Sequence, residues 1–223
     1  MQDLFNFLAE FVSRPDRVIL DFINNYGYWI YVLLFFIIFA ETGLIIASFL
    51  MPFLPGDALI FAVGMIAAND QQSHLHIEYI IPLLMLAAIL GDNLNYYIGS
   101  RFGSWLLDNP DRFFIKAKHI DKATTFFEEH GKKAIIIARF MPVVRTIIPF
   151  ICGTTKLEYK TFITYSFIGA VLWVGAISLL GYFFGGFSFV QNNLEYFIFG
   201  IIIAANLPLI TRLVKSSFSK NNS

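Results

Sequence analysis

From residue 28 to about residue 213 the chain is a succession of long apolar runs separated by short polar stretches, several of them broken internally by Pro or Gly. The beginning reads differently. Leu4, Phe7, Leu8 and Phe11 recur at helical spacing, as do Val18, Ile19, Phe22 and Ile23 after Pro15, with polar residues between them. Such stripes predict a pair of amphipathic helices over residues 1–27, lying on a membrane surface or forming a collar on the bundle. The basic start and small-residue cleavage site of a signal peptide are missing. Residues 28–50 are long enough to span, at about 20 residues per crossing. Residues 52–68, broken by Pro52, Pro55 and Gly56, are too short for a second crossing. They predict a re-entrant hairpin, tolerable only where protein or water surrounds its backbone. A span at 79–98, interrupted by Pro82 and Gly91, leads into a polar segment at 100–133. Its helical pattern (Ile120, Ala123, Phe127) stops at Gly131, a C-cap residue. An apolar segment at 134–153 and spans at 161–187 and 195–213 follow. The fold expected is an all-α polytopic membrane protein: an interfacial segment 1–27, one transmembrane domain 28–214 and a tail 215–223.

Composition agrees. Of 223 residues, 57% are hydrophobic and 14% charged, against about 25% charged in soluble domains. The net charge of zero gives no electrostatic case for a nucleic-acid partner. The single cysteine, Cys152, rules out an internal disulfide and reads as core packing. Loop charges set an orientation through the positive-inside rule. Loops 69–78 and 188–194 contain no Lys or Arg, whereas 100–133 contains Arg101, Arg112, Lys116, Lys118, Lys122, Lys132 and Lys133. Lys156 and Lys160 follow in 154–160, and Arg212, Lys215 and Lys220 near the end. The expected arrangement has both termini, 100–133 and 154–160 cytoplasmic. Segment 28–50 then crosses inside to outside, 52–68 dips in from outside, and 134–153 dips in from the cytoplasm or else crosses fully. A broken hairpin followed by a span occurs twice with opposite orientation, which is an inverted repeat.

Four charges sit inside these apolar stretches: Glu41 and Asp57 in 35–67, Arg139 and Arg145 in 134–153. Each would cost roughly 2.5–3.5 kcal/mol facing lipid at a helix centre, so they must face one another, water or a substrate. For the acids the functional reading is proton or cation coupling, since a poorly hydrated carboxylate can load and release a proton. The structural alternative is an ion pair with an arginine or, for Asp57 after Pro55-Gly56, a helix cap. Arg139 and Arg145 would lie on different sides of an unbroken helix. Pro142, Pro149 and Gly153 are hinge candidates that let both converge on one cavity, as are Pro52, Pro55 and Gly56 on the acidic side. A buried guanidinium keeps its charge and grips phosphate or carboxylate through two parallel bonds; the plainer role is a fixed counter-ion. Asp92, Asn95, Tyr96 and Gly99 share one helix face, with Asp92 a third candidate for proton coupling. Gly99-x-x-x-Gly103 and Gly181-x-x-x-Gly185 read as close-packing motifs. His74 and His76 form a His-x-His beside Asp70 and Glu78, a spacing too common to argue for a metal, and neither metal nor cofactor is expected.

The set Glu41-Thr-Gly, Pro52-Phe-Leu-Pro-Gly-Asp57, Gly91-Asp-Asn-Leu-Asn-Tyr-Tyr-Ile-Gly99 and Ala138-Arg-Phe-Met-Pro-Val-Val-Arg145 with Pro149 and Gly153 resembles the DedA family. That family is also described as the SNARE-associated Golgi protein or VTT-domain group, and the resemblance runs from about residue 28 to 200. It implies a polytopic membrane protein with two opposed re-entrant hairpins. It also implies transport driven by the proton motive force, or movement of lipids such as undecaprenyl phosphate and phosphatidylethanolamine between leaflets. The family's acids and arginines fall on Glu41, Asp57, Arg139 and Arg145. One departure is a stretch between Glu41 and Asp57 about one helical turn longer than the family pattern.

The expected function is a proton-motive-force-dependent lipid translocase of a bacterial cytoplasmic membrane, most simply for undecaprenyl phosphate or a related anionic lipid. Its partners are membrane lipids and protons, with a homo-oligomer open. The alternatives are a phosphatidylethanolamine flippase or scramblase, and a proton-coupled small-ion or drug antiporter. A membrane enzyme such as a lipid phosphatase fares poorly, because no His, Ser-His pair or metal cluster falls in the apolar segments.

Overall fold

The computed structural model describes residues 15–43, 56–69, 75–108, 117–141, 144–187 and 189–190. Pro52, Pro55, Pro142, the interfacial segment before Pro15, the span at 195–213 and the tail lie outside the described residues. The described residues form helices α1 (Pro15–Tyr26), α2 (Trp29–Gly43), α3 (Gly56–Asn69), α4 (Ile77–Asp108), α5 (Ala117–His130), α6 (Ala134–Ala138), α7 (Val144–Thr154) and α8 (Tyr159–Phe184), with no strand among them. Among the described residues, two stretches are long and apolar enough to cross a membrane: Ile77–Gly103 within α4, and α8. At 1.5 Å per residue they run about 40 Å each, against a hydrocarbon core of about 30 Å.

Local chemistry explains where the elements stop. α1 buries Ile19 and Ile23 and exposes Asp21, Asn24 and Asn25. It ends at Gly27, whose φ of 55° places it in the left-handed region and whose N–H donates to Ile23 O at 2.8 Å. Gly131, also at φ 55°, ends α5 as its sequence position predicts. α7 ends without a glycine: Lys156 takes φ 52°, while Lys156 N–H and Leu157 N–H return to Gly153 O and Cys152 O, the bonding of a Schellman motif. Tyr96 Oη fixes this turn from α4 by donating to Leu157 O at 2.6 Å.

The packing sets helix directions. Tyr31 near the start of α2 accepts the N–H of His76, just before α4, at 2.9 Å, and further on Gly43 meets Gly91. α2 and α4 are therefore parallel. Asp92 pairs with Ser166, and the Tyr96 ring stacks 4.5 Å from Phe162, so α4 and α8 are antiparallel. α7 follows α4 in parallel, from Asn95 beside Thr146 to Gly103 beside Thr154. α3 follows α8 in parallel, from Asp57 beside Trp173 to Met65 beside Gly185.

These directions correct one expectation. Segment 28–50 was expected to cross from one side to the other before 52–68 dips in. Instead the start of α2, the end of α3 and the start of α4 share one end of the bundle, and the Gly43 and Gly56 ends meet at mid-height beside Glu41. α2 and α3 thus run antiparallel, the two described arms of a hairpin, with Glu41 and Asp57 near the ends that meet. α6–α7 forms a second hairpin from the opposite end, carrying Arg139 and Arg145 at its tip. Hydrophobic length alone carries no direction, so an apolar run that enters and turns back reads like one that crosses.

Two smaller corrections concern hinges. Pro82 and Gly91 lie inside an unbroken α4, and Pro149 and Gly153 inside an unbroken α7. Pro149 lacks only the N–H that would have gone to Arg145 O, near the helix start. Gly153 acts as a contact surface: a Cβ there would sit 2.7 Å from Ser100 N of α4. The same holds on the other pair, where a Cβ at Gly181 would lie 3.0 Å from the Phe61 carbonyl carbon. Small residues thus let backbones touch at both long-helix seams. Between them lies a core of Ile30, Leu34, Ile38, Leu59, Ile80, Leu84 and Trp173, and a second built around Ile147, Phe150, Phe162 and the buried Cys152.

Candidate functional site

The two hairpin tips meet at mid-height, and every buried charge of the described residues is there. Glu41 (6% exposed), Asp92 (3%), Arg139 (3%) and Arg145 (7%) are all buried, and the Asp57 side chain is 13% exposed. Gly91, one residue before Asp92, lies about 21 Å along α4 from Ile77 and about 18 Å from Gly103, which puts the cluster near the middle of the spanning stretch.

Two networks share the five arginine and acid expectations. In the first, Arg145 Nη2 donates to Glu41 Oε1, and Nη1 donates to Asp57 Oδ1 at 3.1 Å. The indole N–H of Trp173 donates to the same Asp57 Oδ1 at 3.0 Å. The Arg145 guanidinium carbon stands 4.9 Å from the Trp173 ring centroid, within cation–π range. In the second, Arg139 Nη2 donates to Asp92 Oδ2 and to Ser166 Oγ at 3.2 Å, while Ser166 donates to Asp92 Oδ2 at 2.6 Å. The sequence left open whether both arginines converge on one ligand; in this structure Arg139 pairs with Asp92, and Arg145 with Glu41 and Asp57.

Fixed polar contacts hold the tips. Asn95 on α4 donates to Thr42 O at 2.7 Å and, more weakly, to Thr146 O at 3.4 Å. Thr42 is in the last turn of α2, whose carbonyls have no partner within the helix, so Asn95 caps one hairpin while touching the other. Gly56 and Gly169 are small for a reason. A Cβ at Gly56 would strike the Glu41 carboxylate, and one at Gly169 would lie 2.8 Å from Arg139 Cδ. Gly56 is therefore better described as making room for Glu41 than as a hinge. His76 is exposed, 3.9 Å from Glu78, and away from this site; His74 lies outside the described residues.

Charge distinguishes the networks. Arg139 with Asp92 is balanced. Arg145 opposes two carboxylates, so with both ionised the first network carries one surplus negative charge in a buried setting. A single proton cancels it. Arg139 Nε and Arg145 Nε are buried with no hydrogen-bond partner among the described residues, which leaves each guanidinium a donor for a further oxygen.

Sequence reasoning missed Ser166 and Trp173. The signal was there: Ser166, Gly169, Ala170 and Trp173 follow the i, i+3, i+4, i+7 pattern and make the buried stripe of α8.

The VTT domain family profile matches residues 54–183, which hold all of this site except Glu41 and Thr42. Protein DedA of Escherichia coli K12 is 41% identical over 213 residues, covering 96% of this chain and 95% of its own. This chain belongs to the DedA family. Other DedA-like relatives are an uncharacterized membrane protein of Mycobacterium leprae, 37% identical over 174 residues (78% and 75% of the two chains), and the inner membrane protein YqjA of E. coli K12, 34% identical over 162 residues (70% and 68%). No solved structure matches the chain. Membership and the two long apolar helices together make this DedA-family chain a membrane protein.

Proposed function

We propose that this DedA-family protein is a lipid translocase of a bacterial inner membrane, not an enzyme, and that it moves an anionic lipid phosphate such as undecaprenyl phosphate under the proton motive force. The observation that carries the reading is Arg145 facing both Glu41 and Asp57 where the tips meet. Buried charges are costly unless paired, and a network one charge out of balance is poised to accept a proton. A protonated acid no longer competes for the guanidinium. A phosphate oxygen then finds Nη donors plus the unpartnered Nε in a planar fork suited to it. Proton uptake and phosphate binding thus favour each other, while the lipid tails stay in the bilayer beside the bundle. The partners are protons and membrane lipids.

The alternating-access frame is a pair of re-entrant hairpins related as an inverted repeat. Reciprocal packing supports it: the returning helix of each hairpin lies along the long helix of the other half, α3 on α8 and α7 on α4. Gly99 and Gly181 are both 22 positions beyond the first residue of their helices, Ile77 and Tyr159, and both meet a returning helix through backbone. The positive-inside rule turns the end bearing Arg101, Lys132, Lys133, Lys156 and Lys160 toward the cytoplasm.

A second reading, an ion or drug antiporter, is favoured by the balanced Arg139–Asp92–Ser166 network, in which the arginine serves as a counter-ion. Reconstituted flipping of a labelled undecaprenyl phosphate, with and without a pH gradient, separates the two. The gradient should accelerate flipping by the parent protein, Glu41→Gln should abolish that acceleration, and Arg145→Lys should slow transport by about tenfold or more, since a bond to a charged group is worth roughly 1.5–3 kcal/mol. Equal competition by an uncharged polyprenol, or full activity of the Lys variant, would sink the phosphate reading.

A further inference from the structure

Trp173 belongs to neither hairpin. It lies on the long helix α8, is only 1% exposed, and touches both members of the Asp57–Arg145 pair. The contacts use different parts of the indole. Its edge, a donor-only N–H, goes to Asp57 Oδ1. Its face lies against the Arg145 guanidinium. Arg145 donates to that same Oδ1, so one oxygen receives both bonds and the other carboxylate oxygen of Asp57 receives neither.

This division has a chemical consequence. A proton arriving on Oδ2 turns Oδ1 into a carbonyl oxygen, which still accepts from the indole. A guanidinium held over the ring by its central carbon still has N–H donors on its rim, so it can exchange a carboxylate for a phosphate without leaving the ring. We propose that Trp173 is a positioning residue for the ion-pair exchange: its edge retains Asp57 and its face retains Arg145 while the bond between them is broken and remade. The inference rests on the proton-coupled reading given above and adds a residue to it. The groups around Asp57 are Arg145 from α7, Glu41 across it from α2, and the neighbouring Asp92–Arg139 pair. A response of Trp173 to protons must be assigned among these.

The test reads Trp173 itself and needs no transport. In a Trp29→Phe/Trp105→Phe protein reconstituted in vesicles of neutral lipid, Trp173 is the sole tryptophan. Its emission is followed as pH is lowered from about 8.5 to about 5. The expected result is a change with a single midpoint that disappears in Asp57→Asn and moves to lower pH in Glu41→Gln, where Arg145 faces one carboxylate in place of two. A response that survives Asp57→Asn, or no response at all, overturns the proposal. The transport arm uses Trp173→Phe, which keeps a face and loses the donor. Removing a donor to an ionised group should move the pH midpoint of transport up by about one unit, and Trp173→Leu, which also removes the face, should additionally weaken binding of the labelled lipid phosphate about tenfold. An unchanged pH profile in Trp173→Phe also overturns it. Loss of gradient dependence in the parent protein with the emission response intact would refute the transport reading alone.

Discussion

Replacing Arg145 by Gln removes the positive charge that Glu41 and Asp57 share among the described residues and leaves two carboxylates facing each other where only 6% of Glu41 and 13% of the Asp57 side chain meet the surroundings. Breaking a buried ion pair from one side costs about 3–5 kcal/mol, because the orphaned charge remains desolvated. For a chain of this size that corresponds to a fall of roughly 6–20 °C in Tm. The cost is electrostatic, so protons relieve it. The loss is largest at the alkaline end, where the acids are driven to ionise without a cation; as pH falls they take up protons and the variant regains stability relative to the parent. Removing the acids as well should have the same effect at every pH, so Arg145→Gln/Glu41→Gln/Asp57→Asn should unfold near the parent temperature at pH 8. The assay is thermal unfolding of the purified protein in detergent across pH 5–8, with the triple variant beside the single. A single variant as stable as the parent at pH 8, or a triple variant no better than the single, would show that these three side chains are not a desolvated network.

Gly99→Leu and Gly181→Leu should each destabilise by about 1–3 kcal/mol or more through overpacking against backbone that cannot give way. Gly175→Leu should be tolerated, because a Cβ at Gly175 meets nothing within 4 Å; the same unfolding assay ranks all three. In a Cys152→Ser background, single cysteines at Asn25 and His76 should react with an impermeant thiol reagent from the same side of the membrane, and those at Lys132 and Thr155 from the other. Labelling of Asn25 together with Lys132 would restore a crossing by residues 28–50 and undo the antiparallel α2–α3 hairpin.

Much of the fold was legible because a membrane helix advertises itself by composition. The two long helices, the turn after Ala138, the glycine that ends α5 and the inward polar face of Asp92, Asn95 and Gly99 all follow from local pattern. Direction did not. An apolar segment has the same hydropathy whichever way it runs, and what places the start of α2 beside the start of α4 is the bond between Tyr31 and His76. Pro82 and Pro149 misled in the opposite sense: each removes one helical bond, yet α4 and α7 continue through them.

The site was legible as a list of charges and opaque as a set of partners. An ionised residue in an apolar run announces that it must be satisfied, and the cost of leaving it unpaired makes that inference strong. Which acid takes which arginine depends on depth along four helices, and no spacing within one segment contains that information. Trp173 shows the limit most clearly. In the sequence it is one apolar residue among many, and only its neighbours give it an edge that holds an acid and a face that holds a base. The acids come from one hairpin tip and Arg145 from the opposing one, so their bonds cross the boundary that alternating access would have to open. In the proposed proton-coupled cycle, a proton that weakens those bonds acts on the contact joining the two hairpins, so the same few side chains would both sense the gradient and govern the opening.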